Sequence, residues 1–213
     1  RRGARLVNGG GARAWQEGRH CPWQENGVWG TDAAGMPVAL RPGHFSRLDG
    51  RVVDFAEDFC RPFILRFARE IRREDPEAVI FAESEAFRWP PALPAEELPR
   101  AAFCPHWYDG IPVATKRHIP FLAYDERSSR VVVGRGAARR SIAAQLAHLR
   151  EGAVQRMGGA PVLLGEFGIP FDLDNGRARE AALDRSFRAI VENLLSCAIW
   201  NYTADNTHAH GDG

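Results

Sequence analysis

The chain has 213 residues, 45% of them hydrophobic, with 28 Lys and Arg against 27 Asp and Glu, a formal balance of +1 at pH 7. That size and apolar content support one globular domain, or a large piece of one, and exclude a disordered tail. The near-neutral balance gives no support to nucleic acid binding, and Arg1-Arg2, Arg72-Arg73 and Arg139-Arg140 read as solvated helix faces.

Cys21, Cys60, Cys104 and Cys197 are far apart and form no CxxC pair. Neither a zinc knuckle nor a dense disulfide framework is indicated, and buried free thiols are expected. No stretch approaches the ~18 apolar residues that a membrane span requires. RRGARLVNGG lacks both an initiator Met and an apolar signal core, and HAHGDG reads as mid-loop, so truncation at both ends is expected.

In chain order, residues 1 to 50 are rich in Gly and aromatics without a sustained period, which predicts a long ordered loop region. From Ala56 to about Arg73, Phe59, Phe63, Phe67 and Ile71 recur every four residues between charges, predicting an amphipathic helix with Pro62 in its first turns or at a kink. AVIFAE then reads as a strand ending at Glu83, and WPPALPAEELP as a connection. AAFCPHWYDG holds a second apolar strand, ending at Pro105-His106. Residues 138 to 157 form the clearest helix, with Ile142, Leu146, Leu149, Ala153 and Met157 on one face and Gly158-Gly159 as its stop. VLLGEF is the next strand. A helix over roughly 177 to 195 places Leu183, Phe187, Ile190, Val191 and Leu194 toward the core and leads into SCAIWNYTADN, a buried strand.

Strands this apolar, alternating with helices, argue for parallel pairing through crossovers. Of the two architectures that satisfy the pattern, the doubly wound sheet lacks its signature, because no apolar strand precedes the glycines of VNGGGARAW. The strand ends, Glu83, His106 with Tyr108, Glu166, and Trp200 to Asn201, converge on one pocket if the fold is a (β/α)8 barrel. About four strands are present where a complete barrel takes ~250 residues, so the α/β fold expected is a partial barrel, roughly strands 5 to 8 with their helices.

Within PVLLGEFGIPFDL, an ionised Glu166 cannot be buried unpaired behind Val162, Leu163 and Leu164, so it belongs where the strand leaves the core. Gly165 and Gly168 point to close backbone approach beside it.

ARAWQEGRHCPW, FAEDF, PHWYDG, GEFGIPFDL and WNYTADNT, in that order, resemble glycoside hydrolase family 5, in particular its endoglycoceramidase-like branch of steryl-glucoside and glucosylceramide β-glucosidases. The resemblance implies a retaining O-glycosyl hydrolase in which Glu166 is the nucleophile, and makes residues 1 to 213 the C-terminal portion of one catalytic domain. Retention needs a carboxylate nucleophile with a second carboxyl ~5 to 5.5 Å away as acid and then base. The family's acid/base glutamate lies in an Asn-Glu-Pro motif after the fourth strand, and this chain has no such motif. The acid/base is therefore expected upstream, and the chain alone is expected to be inactive.

The resemblance also implies that His106 and Tyr108 hold the sugar or the nucleophile, and that Trp200 forms the floor beneath the sugar, with Asn201, Asp205 and Asn206 as its polar rim. Trp200 as a core residue and His106 as a satisfied core histidine are the alternatives. Glu83 reads as a sugar-contacting or network residue, with an acid/base role or an ion pair to Arg88 as alternatives. The implied partner is a β-glycoside with a lipid or sterol aglycone, for which Trp15, Trp23 and Trp29 offer an aromatic surface or merely anchor their loop. No metal or cofactor is called for. A metal-dependent hydrolase using His208, His210 and Asp212, and a carbohydrate-binding barrel without chemistry, are the rival readings.

Overall fold

The computed structural model describes residues 10 to 207 and Gly211. Arg1, Arg2 and the first glycine of VNGGG lie outside the described residues, as do His208, His210 and Asp212. The chain divides into two compact units, Arg1–Asp54 and Phe55–Gly213.

The first unit contains more regular structure than its composition predicts. A single-turn helix α1 (Pro22–Glu25) precedes an antiparallel hairpin of β1 (Trp29–Thr31) and β2 (Pro37–Ala39), and β3 (Arg47–Leu48) and β4 (Arg51–Val52) form a second hairpin. Strands of two or three residues are too short to print a period of two on the sequence. The first turn is set by Asp32, whose Oδ1 accepts from the backbone N–H groups of Ala34 and Met36, both at 2.9 Å. The Trp29 indole donates to Cys21 Sγ at 3.4 Å, and that bond holds the thiol below its ordinary value.

In the second unit, a π-turn over Ala56–Cys60 opens into α2 (Arg61–Glu74), with Pro62 in the first turn, where its missing N–H is not needed. The helix is where the period predicts it, but its orientation differs. Ile64 and Ala68 join the core, while Phe59, Phe63, Phe67 and Ile71 are exposed, Phe63 by 67%. Phe63 and Phe67 stack on each other at 6.2 Å instead of packing inward.

Four parallel strands follow. β5 (Ile80–Ala82) pairs with β6 (Ala101–Phe103) through the buried Pro-rich connection that contains Pro90, Pro91, Leu93 and Leu98. Single parallel bridges, Phe103 to Val162 and His106 to Glu166, join β6 to the strand of the GEFG segment. Between them lie a short helix α3 (Gly110–Thr115), the antiparallel hairpin β7 (Leu122–Asp125) and β8 (Arg130–Val133), and the long helix α4 (Arg135–Arg156). α4 buries Ile142, Leu146, Leu149 and Ala153, Met157 caps the same face, and Gly158 and Gly159 end it with φ of 62° and 80°.

β9 (Leu163–Phe167) then pairs in parallel with β10 (Ser196–Ile199), placing Cys197 beside Leu164. Their crossover, α5 (Gly176–Glu192), is capped by Asn175, whose Oδ1 accepts from Ala178 N–H at 3.0 Å. It buries Ala182, Ser186, Ala189 and Ile190, whereas Phe187, Val191 and Leu194 are exposed. Ile190 and Leu183 thus meet the core as the period predicts, and Phe187 packs edge-on against Phe167, while Val191 and Leu194 point away. β10 is largely exposed rather than buried, because nothing among the described residues pairs with its outer edge.

The sheet order is therefore β5-β6-β9-β10, a mixed α/β unit whose sheet stays open at β5 and β10 among the described residues. Its core joins Phe103, Trp107, Leu164 and Phe167 to the buried stripe of α4. All four strands run the same way, so their C-terminal ends lie on one edge.

Candidate active site

At that edge, residues from three strands meet. His106 and Glu166 are direct neighbours across a parallel bridge, and the Trp107 N–H donates to the Glu166 carbonyl at 3.0 Å. This fixes Glu166 against the segment that follows β6. Alternation then sends His106 and Tyr108 to one side and Trp107 to the other. Trp107 is fully buried, and its indole N–H donates to Gln145 Oε1 on α4 at 3.3 Å.

The Tyr108 hydroxyl donates to Glu166 Oε2 at 2.8 Å. His106 Nδ1 lies 3.3 Å from the same oxygen and 3.3 Å from Glu83 Oε1. Glu83, His106, Tyr108 and Glu166, all singled out in the sequence, thus form one connected cluster. Glu83 meets His106 rather than Arg88, and His106 faces two carboxylates rather than the core. Burial raises the Tyr108 phenol far above its ordinary value, and the hydrogen bond and charge of Glu166 add to the rise. It therefore remains a proton donor at neutral pH.

The glycines beside the acid are required by contacts. A methyl group on Gly165 would meet Cys104 Sγ, and one on Gly168 would run into the Trp200 carbonyl oxygen. Cys104, directly beneath the cluster, is half-buried rather than fully buried, as are Cys21, Cys60 and Cys197. Burial and the charges of Glu83 and Glu166 raise the Cys104 thiol above its ordinary value.

Trp200 follows β10, and its N–H donates to the Phe167 carbonyl at 2.8 Å, so it shares the edge with Glu166. It is 46% exposed, which removes the core alternative for it. Trp200 and Asn201 line an open cleft of about 210 Å³ with Ile169, Phe171, Arg179 and Asn206. Glu166, His106 and Tyr108 do not line it. Asn201 accepts from the Thr203 hydroxyl at 2.7 Å, and Asp205 is exposed.

The sequence pattern missed Asp109 and Arg185. Asp109 follows Tyr108, caps α3 and pairs with Arg185 of α5, both side chains being almost wholly buried. Its signal was available in DGIP, an N-cap residue one position before a short helix. Among the described residues, no group of three His, Cys, Asp or Glu side chains is placed to hold a metal ion.

A parallel α/β sheet with a hydrogen-bonded carboxylate and aromatic side chains at its C-terminal edge is an arrangement used by carbohydrate-active enzymes. No family model matches the chain. It is 30% identical over 227 residues to a glucosylceramidase of Rhizopus delemar, covering 98% of this chain and 33% of that protein. It is 29% identical over 213 residues to the ergosteryl-beta-glucosidase of Saccharomyces cerevisiae, covering 90% of this chain and 28% of that protein. A crystal structure of Cryptococcus neoformans sterylglucosidase 1 superposes with a TM-score of 0.75 at 33% identity, covering 89% of this chain and 30% of that chain. The chain thus spans about a third of the length of the curated relatives it matches.

Proposed function

We propose that the chain is the C-terminal half of the catalytic domain of a retaining β-glycosidase of the family 5 type, with Glu166 as nucleophile. The observation that carries this reading is that the Tyr108 hydroxyl and His106 Nδ1 both approach one oxygen, Glu166 Oε2; attack on an anomeric carbon is assigned to the other, Oε1. The phenol holds the carboxylate in one orientation, as nucleophilic catalysis requires. Trp200 offers an exposed indole on which the apolar face of a pyranose packs, and Asn201 and Asp205 supply polar rims.

The relatives named for glucosylceramide and ergosteryl glucoside support a substrate with a lipid or sterol aglycone. Their greater length supports a complete (β/α)8 barrel, with the acid/base glutamate in a part this chain does not span. The open sheet agrees with that assignment. Phe59 in the π-turn, Phe63 and Phe67 on α2, Phe81 on β5, Val191 on α5 and Leu194 just after it are apolar surfaces that further βα units would cover.

The test is covalent trapping in the intact protein. A 2-deoxy-2-fluoro β-glucoside should leave one sugar on Glu166, located by peptide mass spectrometry. A label on another carboxylate overturns the assignment, and tight binding without any label favours a carbohydrate-binding protein.

A further inference from the structure

Glu83 has no part in the attack described above, yet its carboxylate shares the one imidazole nitrogen that touches Glu166. We propose that Glu83 is a positioning residue that takes over the His106 Nδ1–H as the charge on Glu166 is consumed. The inference rests on Glu166 being the nucleophile.

With Nδ1 carrying a proton, its single N–H stands 3.3 Å from an oxygen of each carboxylate and donates to whichever carries more charge. Before attack, Tyr108 and His106 both stabilise the Glu166 carboxylate. As the bond from Oε1 to the anomeric carbon forms, that carboxylate becomes an ester, and a donor still held by Oε2 stabilises the ground state more than the transition state. Glu83 Oε1, 3.3 Å from Nδ1, gives the proton a charged acceptor that needs no displacement of the ring. Tyr108 donates to Oε2 alone among the described residues and stays with it.

The titratable groups facing His106 are Glu83 after β5, Cys104 and Tyr108 on its own segment, and Glu166 on β9; Cys60 and Glu85 lie beyond Glu83. A side chain that merely supports the fold would keep its effect on the rate when His106 is replaced, whereas one that acts through the imidazole would lose it.

The experiment uses 2,4-dinitrophenyl 2-deoxy-2-fluoro-β-glucoside on the intact protein. The bond from Glu166 to C1 forms, the C1–O bond to the aryl group breaks, and dinitrophenolate leaves with the electron pair and needs no proton. In Glu83→Gln, labelling should slow by about tenfold, the scale of a lost hydrogen bond to a charged group. Glu83→Asp should restore the rate to within about twofold of wild type, since the charged acceptor returns. In a His106→Asn background the Gln substitution should add nothing, because the effect runs through the imidazole.

Unchanged labelling in Glu83→Gln overturns the proposal, and this is also what a general-acid role for Glu83 would give. An equal loss with and without His106 overturns it too. If the wild-type protein takes no label, the nucleophile assignment itself falls, and this inference with it.

Discussion

Tyr108 and Glu166, 58 residues apart in the chain, meet through a 2.8 Å hydrogen bond that ties the segment after β6 to β9. Tyr108→Phe removes the donor and leaves the ring. Glu166 then loses the donor that holds and orients its carboxylate for attack. The trapping rate at neutral pH should fall about ten- to a hundredfold, as for a hydrogen bond to a charged group.

Arg185→Met should cost about 3 to 5 kcal/mol at pH 7, because it leaves the buried Asp109 carboxylate without its partner. Burial already raises the Asp109 carboxyl above its ordinary 3.8, against the opposing pull of Arg185. Without the cation the carboxyl rises further. A folded-state pKa above the unfolded one means that the cost is full above the folded value and is relieved as pH falls toward 3.8. Urea melts at pH 7 and pH 5 should therefore show a smaller loss at pH 5, and Asp109→Asn in the same chain should recover much of it.

Gly168→Ala tests the close approach of β9 and β10. A methyl group there strikes the Trp200 backbone, which cannot swing aside as a flexible side chain would. Thermal or urea unfolding should show a loss of about 1 to 3 kcal/mol. Gly176→Ala is the matched control: a Cβ at the first residue of α5 meets nothing within 4 Å, and the change should be neutral or slightly stabilising.

Phe63→Ala tests the completed barrel. Phe63 is 67% exposed here, and truncating an exposed side chain changes stability by about 0.5 kcal/mol or less. If further βα units cover α2 in the intact protein, the same change should cost about 3 to 5 kcal/mol. Denaturant melts of the intact protein decide between the two.

Much of the site was legible because apolar strands stop abruptly at polar residues. Glu83, His106 and Glu166 each follow a short hydrophobic run, and parallel pairing brings such ends together whatever the loops do. The helix over residues 138 to 157 was equally plain, since one continuous stripe of large apolar residues matches one buried face. Periodicity failed where it reported an apolar face without saying what covers it. On α2 the core side carries Ile64 and Ala68 while the phenylalanines that dominate the pattern face outward, and on α5 Ile190 and Leu183 reach the core as the period predicts, whereas Val191 and Leu194 do not. The β7–β8 hairpin was missed for a related reason: Val131 and Val133 are exposed, so RVVV carries no alternation. The sharing of His106 by two carboxylates was illegible, because it depends on the register of β5 against β6, which no local motif encodes.

The hairpin rests on α4 and α3 and pairs with no strand of the parallel sheet. Residues 110 to 134 thus form an excursion between β6 and α4 whose inner side, at Ala123, joins the core and whose root is held by Asp109 and Arg185. Its tip at Ser128-Ser129 is a place where a peptide tag or a longer loop can be grafted, leaving the alignment of the parallel strands undisturbed. Evolution has the same freedom there, so length variation among descendants of this chain should concentrate at that tip.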